Sequence, residues 1–561
     1  MERILVSWLV GLILAGCAAG DGDSAPSTPQ LTGPGDPATS GPSIIGNIRQ
    51  YNYAFDIATG HATAELDVDV FVGGGCFATG FELGSVSAAS WNGAPASSAA
   101  VANNTITICG NNVARGAPLA ISVEVVVPKQ TSFLDVGFST KKDRRGGDFT
   151  YLLSWIGGCD RFGPCDAAPG RLASYQFTVH HAPTDVVLCP GVLTPGSTVT
   201  QCSLTGGALA PTYSAFGIAN DPLWQQNHFV TAGGVDVVFY EIPGGFTASS
   251  LSQTSVAAFL TWITGLLGPY PYGTQIRYAG APTAWLGFEH PGNIILNQNL
   301  PFGGPYADSG MHAFMHETIH QWAGDRTTIA STMDFGWKEA LAEYLAYVFE
   351  DEQRPTVEAA TSLQYWSAVS GLATHFTRPT DTPSPALPDF YTDVYGEGTM
   401  TLFVQLESLL GRQHVLDAIQ AFLAQPVVRS IDDLRHSLEM ASGVDLQAYF
   451  NAWVFGSGQP EWPTFAISTS QVGSNVTVTV TQQNASHKLY GCKLEVMVSG
   501  ATTSVIAMVD FGAAPQTATA TATVTLAEPV VRTVFEPRHR VVGRVAGAPP
   551  LQTANVKVWP L

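Results

Sequence analysis

His316-Glu317-Thr318-Ile319-His320, followed after a short interval by Trp337-Lys338-Glu339-Ala340-Leu341-Ala342-Glu343-Tyr344, is the stretch from which fold and chemistry can be read together. The two histidines stand four apart, and a helix of 3.6 residues per turn puts both imidazoles on one face. Ala313, Phe314 and Ile319 interleave with them, so the helix predicted over 310–323 is largely buried. Two buried histidines and a buried Glu need partners, and a single divalent ion supplies them. An H-E-x-x-H pattern on a helix suits zinc, with Glu317 rotated to one side where it can act as general base on a water. The two-histidine surface helix is the bland alternative, and the apolar flanks argue against it.

A catalytic zinc takes three protein ligands and keeps a fourth position open. Glu339 follows His320 by nineteen positions on a second predicted helix, 338–350, beyond a turn containing Gly324. Helix, turn and helix let its carboxylate return to the ion. The expected metal ligands are therefore His316, His320 and Glu339, with one Zn2+ per chain. Glu343, one turn on, is either a support for a ligand or a solvated carboxylate. His312, four before His316, is a rival ligand of lower rank than Glu339.

Outward from this pair the segments 251–266, 399–410, 413–424, 431–441 and 446–455 also carry apolar residues three and four apart. Ser430 with Asp433 makes a capping box, and Gly324 and Gly411 stand where helices should end. Val235 to Ile242 and the residues around Ile294 read as strands, so 231–462 is a mostly helical domain with a small sheet. Upstream, Ala62, Ala64, Leu66, Val68, Val70 and Val72 alternate with polar residues, and Ile121 to Val127 is a β-branched run closed by Pro128. Residues 44–230 form an all-β domain. Downstream, Val476, Val478 and Val480 alternate with threonines, as does Thr517 to Thr525, and 463–561 is expected to be a β-sandwich. The fold class is multidomain α+β, and the chain has no internal repeat.

Composition fits several packed cores: 561 residues, 45% hydrophobic and 12% charged. The net charge of -20 excludes broad binding to nucleic acid or anionic lipid. The basic cluster Lys141-Lys142-Asp143-Arg144-Arg145 reads as a solvated loop. At the N-terminus Arg3 precedes an apolar run from Ile4 to Ala15, too short to span a bilayer and ending Leu14-Ala15-Gly16-Cys17. Small residues before a Cys resemble a bacterial lipoprotein processing site, so 1–17 is read as signal peptide and lipidated Cys17. An ordinary cleaved signal peptide is the alternative. Residues 18–43, rich in Gly, Ser, Pro and Thr, read as a flexible linker. The expected location is exported, lipid-anchored to a bacterial membrane and facing periplasm or cell surface. Six further cysteines fall between Cys76 and Cys202, an even set that suggests disulfides. Local pairing would join Cys76 with Cys109, Cys159 with Cys165 and Cys189 with Cys202; sequence permits other pairings. Cys492 is expected to be a buried free thiol.

The residues now quoted resemble the gluzincin metallopeptidases typified by aminopeptidase N and leukotriene hydrolase. Members carry H-E-x-x-H, eighteen residues and Glu, and 321–338 here is eighteen residues. His320-Gln321-Trp322-Ala323-Gly324-Asp325 and Trp337 to Tyr344 resemble the flanks. Leu286-Gly287-Phe288-Glu289-His290-Pro291-Gly292 resembles the G-A-M-E-N segment. By that resemblance Glu289 binds a substrate's α-amine. Tyr395-Gly396-Glu397-Gly398 resembles the Y-x-K-G segment, and Tyr395 would stabilise the oxyanion. Pro164-Cys165-Asp166, Tyr175 to Val179 and Tyr449 to Pro460 resemble further family segments. The implied folds are a saddle-like β domain, a thermolysin-like catalytic domain and a β-sandwich, without room for the large C-terminal helical domain of many members. Phe288, His290, Lys338 and Ala340 depart from the family pattern, and they bear on the first substrate pocket.

The resemblance implies a zinc-dependent aminopeptidase acting on peptides, with Glu289 fixing the amino end, Glu317 as base and Tyr395 on the oxyanion. Two rivals remain: a non-catalytic zinc-containing binding lipoprotein of the same fold, and an endopeptidase using the same site.

Overall fold

Alternation of apolar and polar side chains builds the first half of the chain. The computed structural model describes residues 43–130, 136–156, 158–204, 208–245, 247–300, 309–331, 334–353, 400–455 and 463–547. Strands Ile45–Asp56 and His61–Val72 pair antiparallel at the centre of a nine-stranded sheet, and Leu172–His180 joins the first of them in parallel. Ala62, Ala64, Leu66, Val68 and Val70 are all buried, as the period of two predicts. Val72 is the exception at 48% exposed, because it ends the strand, paired with the likewise exposed Ile45. Two smaller sheets, of three and four strands, complete this region.

Three disulfides bind the same half: Cys76–Cys109, Cys159–Cys165 and Cys189–Cys202. The local pairing is therefore the observed one. Cys76 and Cys109 are register partners on neighbouring strands. Cys492 is free and buried. The basic cluster caps the hairpin Gly137–Lys142/Asp148–Leu153. Its basic side chains are solvated as predicted, Lys142, Arg144 and Arg145 being exposed, while Asp143 is buried beneath them and accepts from the Arg145 and Gly147 amides.

The middle of the chain packs helices against a five-stranded mixed sheet made by Gln225–Ala232, Val235–Glu241, Gln275–Ala281, Asn293–Asn297 and Gly287–Phe288. The predicted helices are present as Gln253–Leu267, Ser309–Ile319, Phe335–Gln353, Met400–Leu410, Arg412–Phe422, Ile431–Ser442 and Gln447–Trp453. Ser430 and Asp433 form the capping box at the head of Ile431–Ser442. Gly411 sits at φ +93° between two helices, where a side chain would strain the backbone.

Two helices carry the site. Ser309–Ile319 is the motif helix and Phe335–Gln353 the carboxylate helix. Every residue from Phe335 to Glu350 is buried, so the core stripe expected from Leu341, Leu345 and Val348 widens to the whole circumference. Four charged side chains on it, Lys338, Glu339, Glu343 and Glu350, are thereby taken out of water and require partners. Asp334 stands immediately before this helix. Its carboxylate accepts from the Ser331 amide and hydroxyl and from the Ile431 amide, tying the turn to the next helical pair.

After Pro463 the chain returns to strands in a four-stranded and a three-stranded sheet. Val476, Val478 and Val480 are buried, as are Leu494, Val496 and Val498 of the second sheet. This region docks on the helices through Arg540 to Glu407 (3.0 Å) and the Trp453 indole to Gly491 O (2.8 Å). Among the described residues no helix is long and apolar enough to cross a membrane. Cys17 and most of the expected linker lie outside the described residues.

Candidate metal centre

The helix expected over 310–323 ends at Ile319, yet the His320 amide still bonds His316 O (3.3 Å), so the four-residue spacing delivers what the helical period requires. His316 Nε2 and His320 Nε2 lie 3.0 Å apart. Glu339 Oε2, from the carboxylate helix, lies 3.3 Å from the first and 3.5 Å from the second. All three side chains are buried, and they are the one group of His, Cys, Asp or Glu donors among the described residues arranged to share an ion. Tetrahedral zinc with ligands at about 2.0–2.2 Å would set neighbouring donors roughly 3.4 Å apart. The three separations fit that edge.

Protonation points the same way. His320 Nδ1 donates to Ala323 O (2.9 Å), which leaves its Nε2 as a lone pair facing the centre. His316 Nδ1 lies 2.7 Å from Glu343 Oε1, which likewise orients its Nε2 inward. Three acceptors then face one another, and a cation resolves the conflict. Burial alone would lower the His316 pKa, and Glu343 and Glu339 overcome it and raise it well above its ordinary value: the carboxylates draw a proton onto the imidazole in the place a metal cation would take. Burial opposes ionisation of Glu339 too, and Lys338 and His320 overcome it and hold the carboxyl well below its usual range.

Glu343 is thus a support behind His316 rather than a solvated carboxylate. Its other oxygen meets His312 Nε2 at 2.9 Å, and His312 Nδ1 meets Glu350 Oε1 at 2.9 Å. His312 is clamped between two carboxylates and is not a ligand. Burial pulls its pKa down, but Glu350 and Glu343 lift it well above the ordinary histidine value. Supports of this kind are worth about 10–100-fold in metal affinity. Glu343→Gln is expected to weaken zinc binding by that factor in a competition titration against a chromophoric chelator; unchanged affinity would contradict the support role.

Glu317 is buried beside the triad, against the backbone of Gly287. Burial, opposed by His316 and reinforced by Glu289 and Glu339, moves its pKa up to about 8. A Cβ at residue 287 would come within 2.5 Å of the Glu317 carboxylate. Gly287→Ala must therefore displace the Glu317 carboxylate, the base expected from the motif, and a displacement of about 1 Å is expected to cost about 100-fold in rate. Steady-state kinetics on the zinc-loaded variant check this, with full activity as the contrary result.

Glu289 reaches the centre from the loop between strands Gly287–Phe288 and Asn293–Asn297. Gln321 holds that loop: its amide donates to Glu289 O (2.8 Å) and Asp325 Oδ2 (3.0 Å), and its oxygen accepts from Gly292 N (2.8 Å). Lys338 Nζ lies 2.7 Å from Glu289 Oε1 and 2.6 Å from Glu339 Oε1. Burial would raise the Glu289 pKa, but Lys338 brings it down to about 2. Phe288 is core, stacked on His290, and buried His290 Nδ1 bonds Ser214 O at 2.7 Å. Two of the departures from the family pattern thus serve packing.

Sequence reasoning missed Tyr213 and Ser214, which come from the first β region. The Tyr213 hydroxyl donates to Gly324 O (2.8 Å) and Ser214 Oγ to Asp325 Oδ1 (2.6 Å), so that region braces the motif turn. No local pattern marks them. Tyr395, Gly396 and Gly398 lie outside the described residues.

A buried His-His-Glu triad with a carboxylate at its side, on two helices beside a mixed sheet, defines a metallopeptidase type of centre. Residues 306–453 match the family described as "Peptidase family M1 domain", and the chain carries a gluzincin domain of that family. Among the solved structures it is similar to Legionella pneumophila aminopeptidase A in complex with aspartic acid, with a TM-score of 0.73 and 15% identity over 90% of this chain. The match covers 60% of that chain, so this protein spans less than two thirds of its length. No curated protein matches the chain in sequence.

Proposed function

We propose that this chain is a zinc-dependent metallopeptidase built on the aminopeptidase plan, hydrolysing peptide bonds with Glu317 as general base. The observation that carries the reading is the mutual placing of three donor atoms, 3.0 to 3.5 Å apart, with a buried carboxylate next to them. A pure scaffold has no use for Glu317 at that position. Zinc, when bound, supplies Lewis acidity that polarises a carbonyl and makes water acidic near neutral pH. Glu317 removes a proton from the attacking water and delivers it to the departing amine. Tyr395 is assigned to the developing oxyanion on the sequence resemblance alone.

The domain plan that goes with this reading is a saddle-like β domain over 44–230, a thermolysin-like catalytic domain over 231–462 and a β-sandwich over 463–561. The change from sheets to helices to paired sheets supports it. Cys17 would anchor the exported protein to a membrane, a location consistent with three disulfides.

On the aminopeptidase plan Glu289 receives the substrate's amino end. One observation favours a second reading, cleavage without a free amino end: Glu289 already holds Lys338. The test of the common ground is a fluorogenic peptide panel. Zinc-loaded protein should turn it over, chelation should abolish turnover, and one equivalent of zinc should restore it. Absence of turnover with zinc bound would favour the binding-lipoprotein alternative.

A further inference from the structure

The carboxylate helix buries a lysine where buried lysines are costly. The Lys338 side chain has no exposure at all, and an ammonium without water must be compensated within the fold. Two carboxylates do this, Glu289 Oε1 at 2.7 Å and Glu339 Oε1 at 2.6 Å. The ammonium also lies 5.5 Å from the centre of the Phe335 ring and 6.0 Å from that of Tyr213. Its stem passes over Gly324, where a Cβ would stand 2.9 Å from Lys338 Cε and 3.3 Å from Cδ and Cγ. Gly324, at φ +132°, leaves the channel through which the lysine reaches its partners.

This placement has two consequences. With Oε1 of Glu339 on the lysine, only Oε2 turns toward the imidazoles. Second, the cation position on Glu289 is filled from within the chain. A buried carboxylate beside a metal triad would otherwise draw a positive group of the substrate to it, and the positive group common to peptides is the α-ammonium of a free amino end. Here that ammonium would have to share Glu289 with a resident one, bringing two like charges together out of water. An acylated amino end, or an internal peptide segment, brings no such charge.

We infer that Lys338 sets the substrate class of the centre: it occupies the ammonium position on Glu289, so the site accepts peptides whose nitrogen next to the cleaved residue is acylated, and gains nothing from a free α-amine. The inference rests on the metallopeptidase reading for its kinetic form, and a binding measurement frees it from that dependence.

The experiment compares matched fluorogenic peptides with free and N-acetylated amino ends on zinc-loaded wild-type protein and on Lys338→Asn, which removes the resident charge. Wild type should cleave the acetylated peptide at least as efficiently as the free one. In Lys338→Asn the ratio of kcat/KM should move toward the free amine by tenfold or more. A wild type that prefers the free amine by tenfold or more overturns the inference, as does a folded, zinc-loaded variant with an unchanged ratio. Calorimetric titration of the wild-type protein with leucinamide and N-acetyl-leucinamide decides independently of turnover. Leucinamide bound no better than its acetylated counterpart supports the inference; tenfold tighter binding of leucinamide sinks it. If the zinc-loaded protein cleaves neither peptide, the metallopeptidase reading fails and the titration still judges Lys338. Should Lys338→Asn not fold, the wild-type ratio and the titration suffice.

Discussion

Glu317→Gln is expected to lower kcat by about 10²–10⁴-fold while leaving zinc bound at one equivalent. The carboxylate stands beside the triad without belonging to it, and the amide that replaces it keeps its shape and its fit against Gly287. What the substitution removes is the capacity to take a proton from water and give it to the leaving nitrogen. Single-turnover kinetics with a fluorogenic peptide, alongside metal analysis of the same sample, measure both halves. Unaltered turnover in a zinc-replete variant would show that the proton moves through another group.

Glu339→Ala is expected to abolish both stoichiometric zinc and activity, and to make thermal stability indifferent to added zinc. The substitution removes one corner of the donor triangle and also one of the two carboxylates that hold Lys338. Breaking a buried charge cluster on one side costs about 3–5 kcal/mol. In the wild type, zinc at a thousandfold excess over its Kd should add about 4 kcal/mol of stability, which the variant forgoes. Differential scanning calorimetry with and without zinc separates the two effects. The contrary result is a variant whose Tm still rises on zinc addition as the wild type's does.

The parts of the site that could be read from sequence are those governed by helical period. His316 and His320 share a face because they are four apart, and Glu339 returns because a turn links two helices. The strand His61–Val72 was legible for the same reason, period two on a half-buried sheet, and failed only at Val72, where pairing ends. Periodicity names a face but not what that face meets. Lys338 reads as an ordinary helix lysine until Glu289 arrives from a loop of the mixed sheet. His312, which local spacing offers as a ligand, is claimed instead by Glu343 and Glu350 one and three turns along the neighbouring helix. Ser214 carries no signal at all, since its partner Asp325 lies in a different part of the chain. Contacts between distant segments decided each of these assignments, and only the assembled fold contains them.

Zinc-edge X-ray absorption on the purified protein addresses the triad most directly. One zinc per chain with nitrogen and oxygen neighbours at about 2.0–2.2 Å and no sulfur is the predicted spectrum, with two imidazole contributions that fall to one in His316→Ala if metal remains. A protein that retains no zinc after dialysis against micromolar metal, or a first shell unchanged by loss of His316, would contradict the convergence of His316, His320 and Glu339 on a single ion.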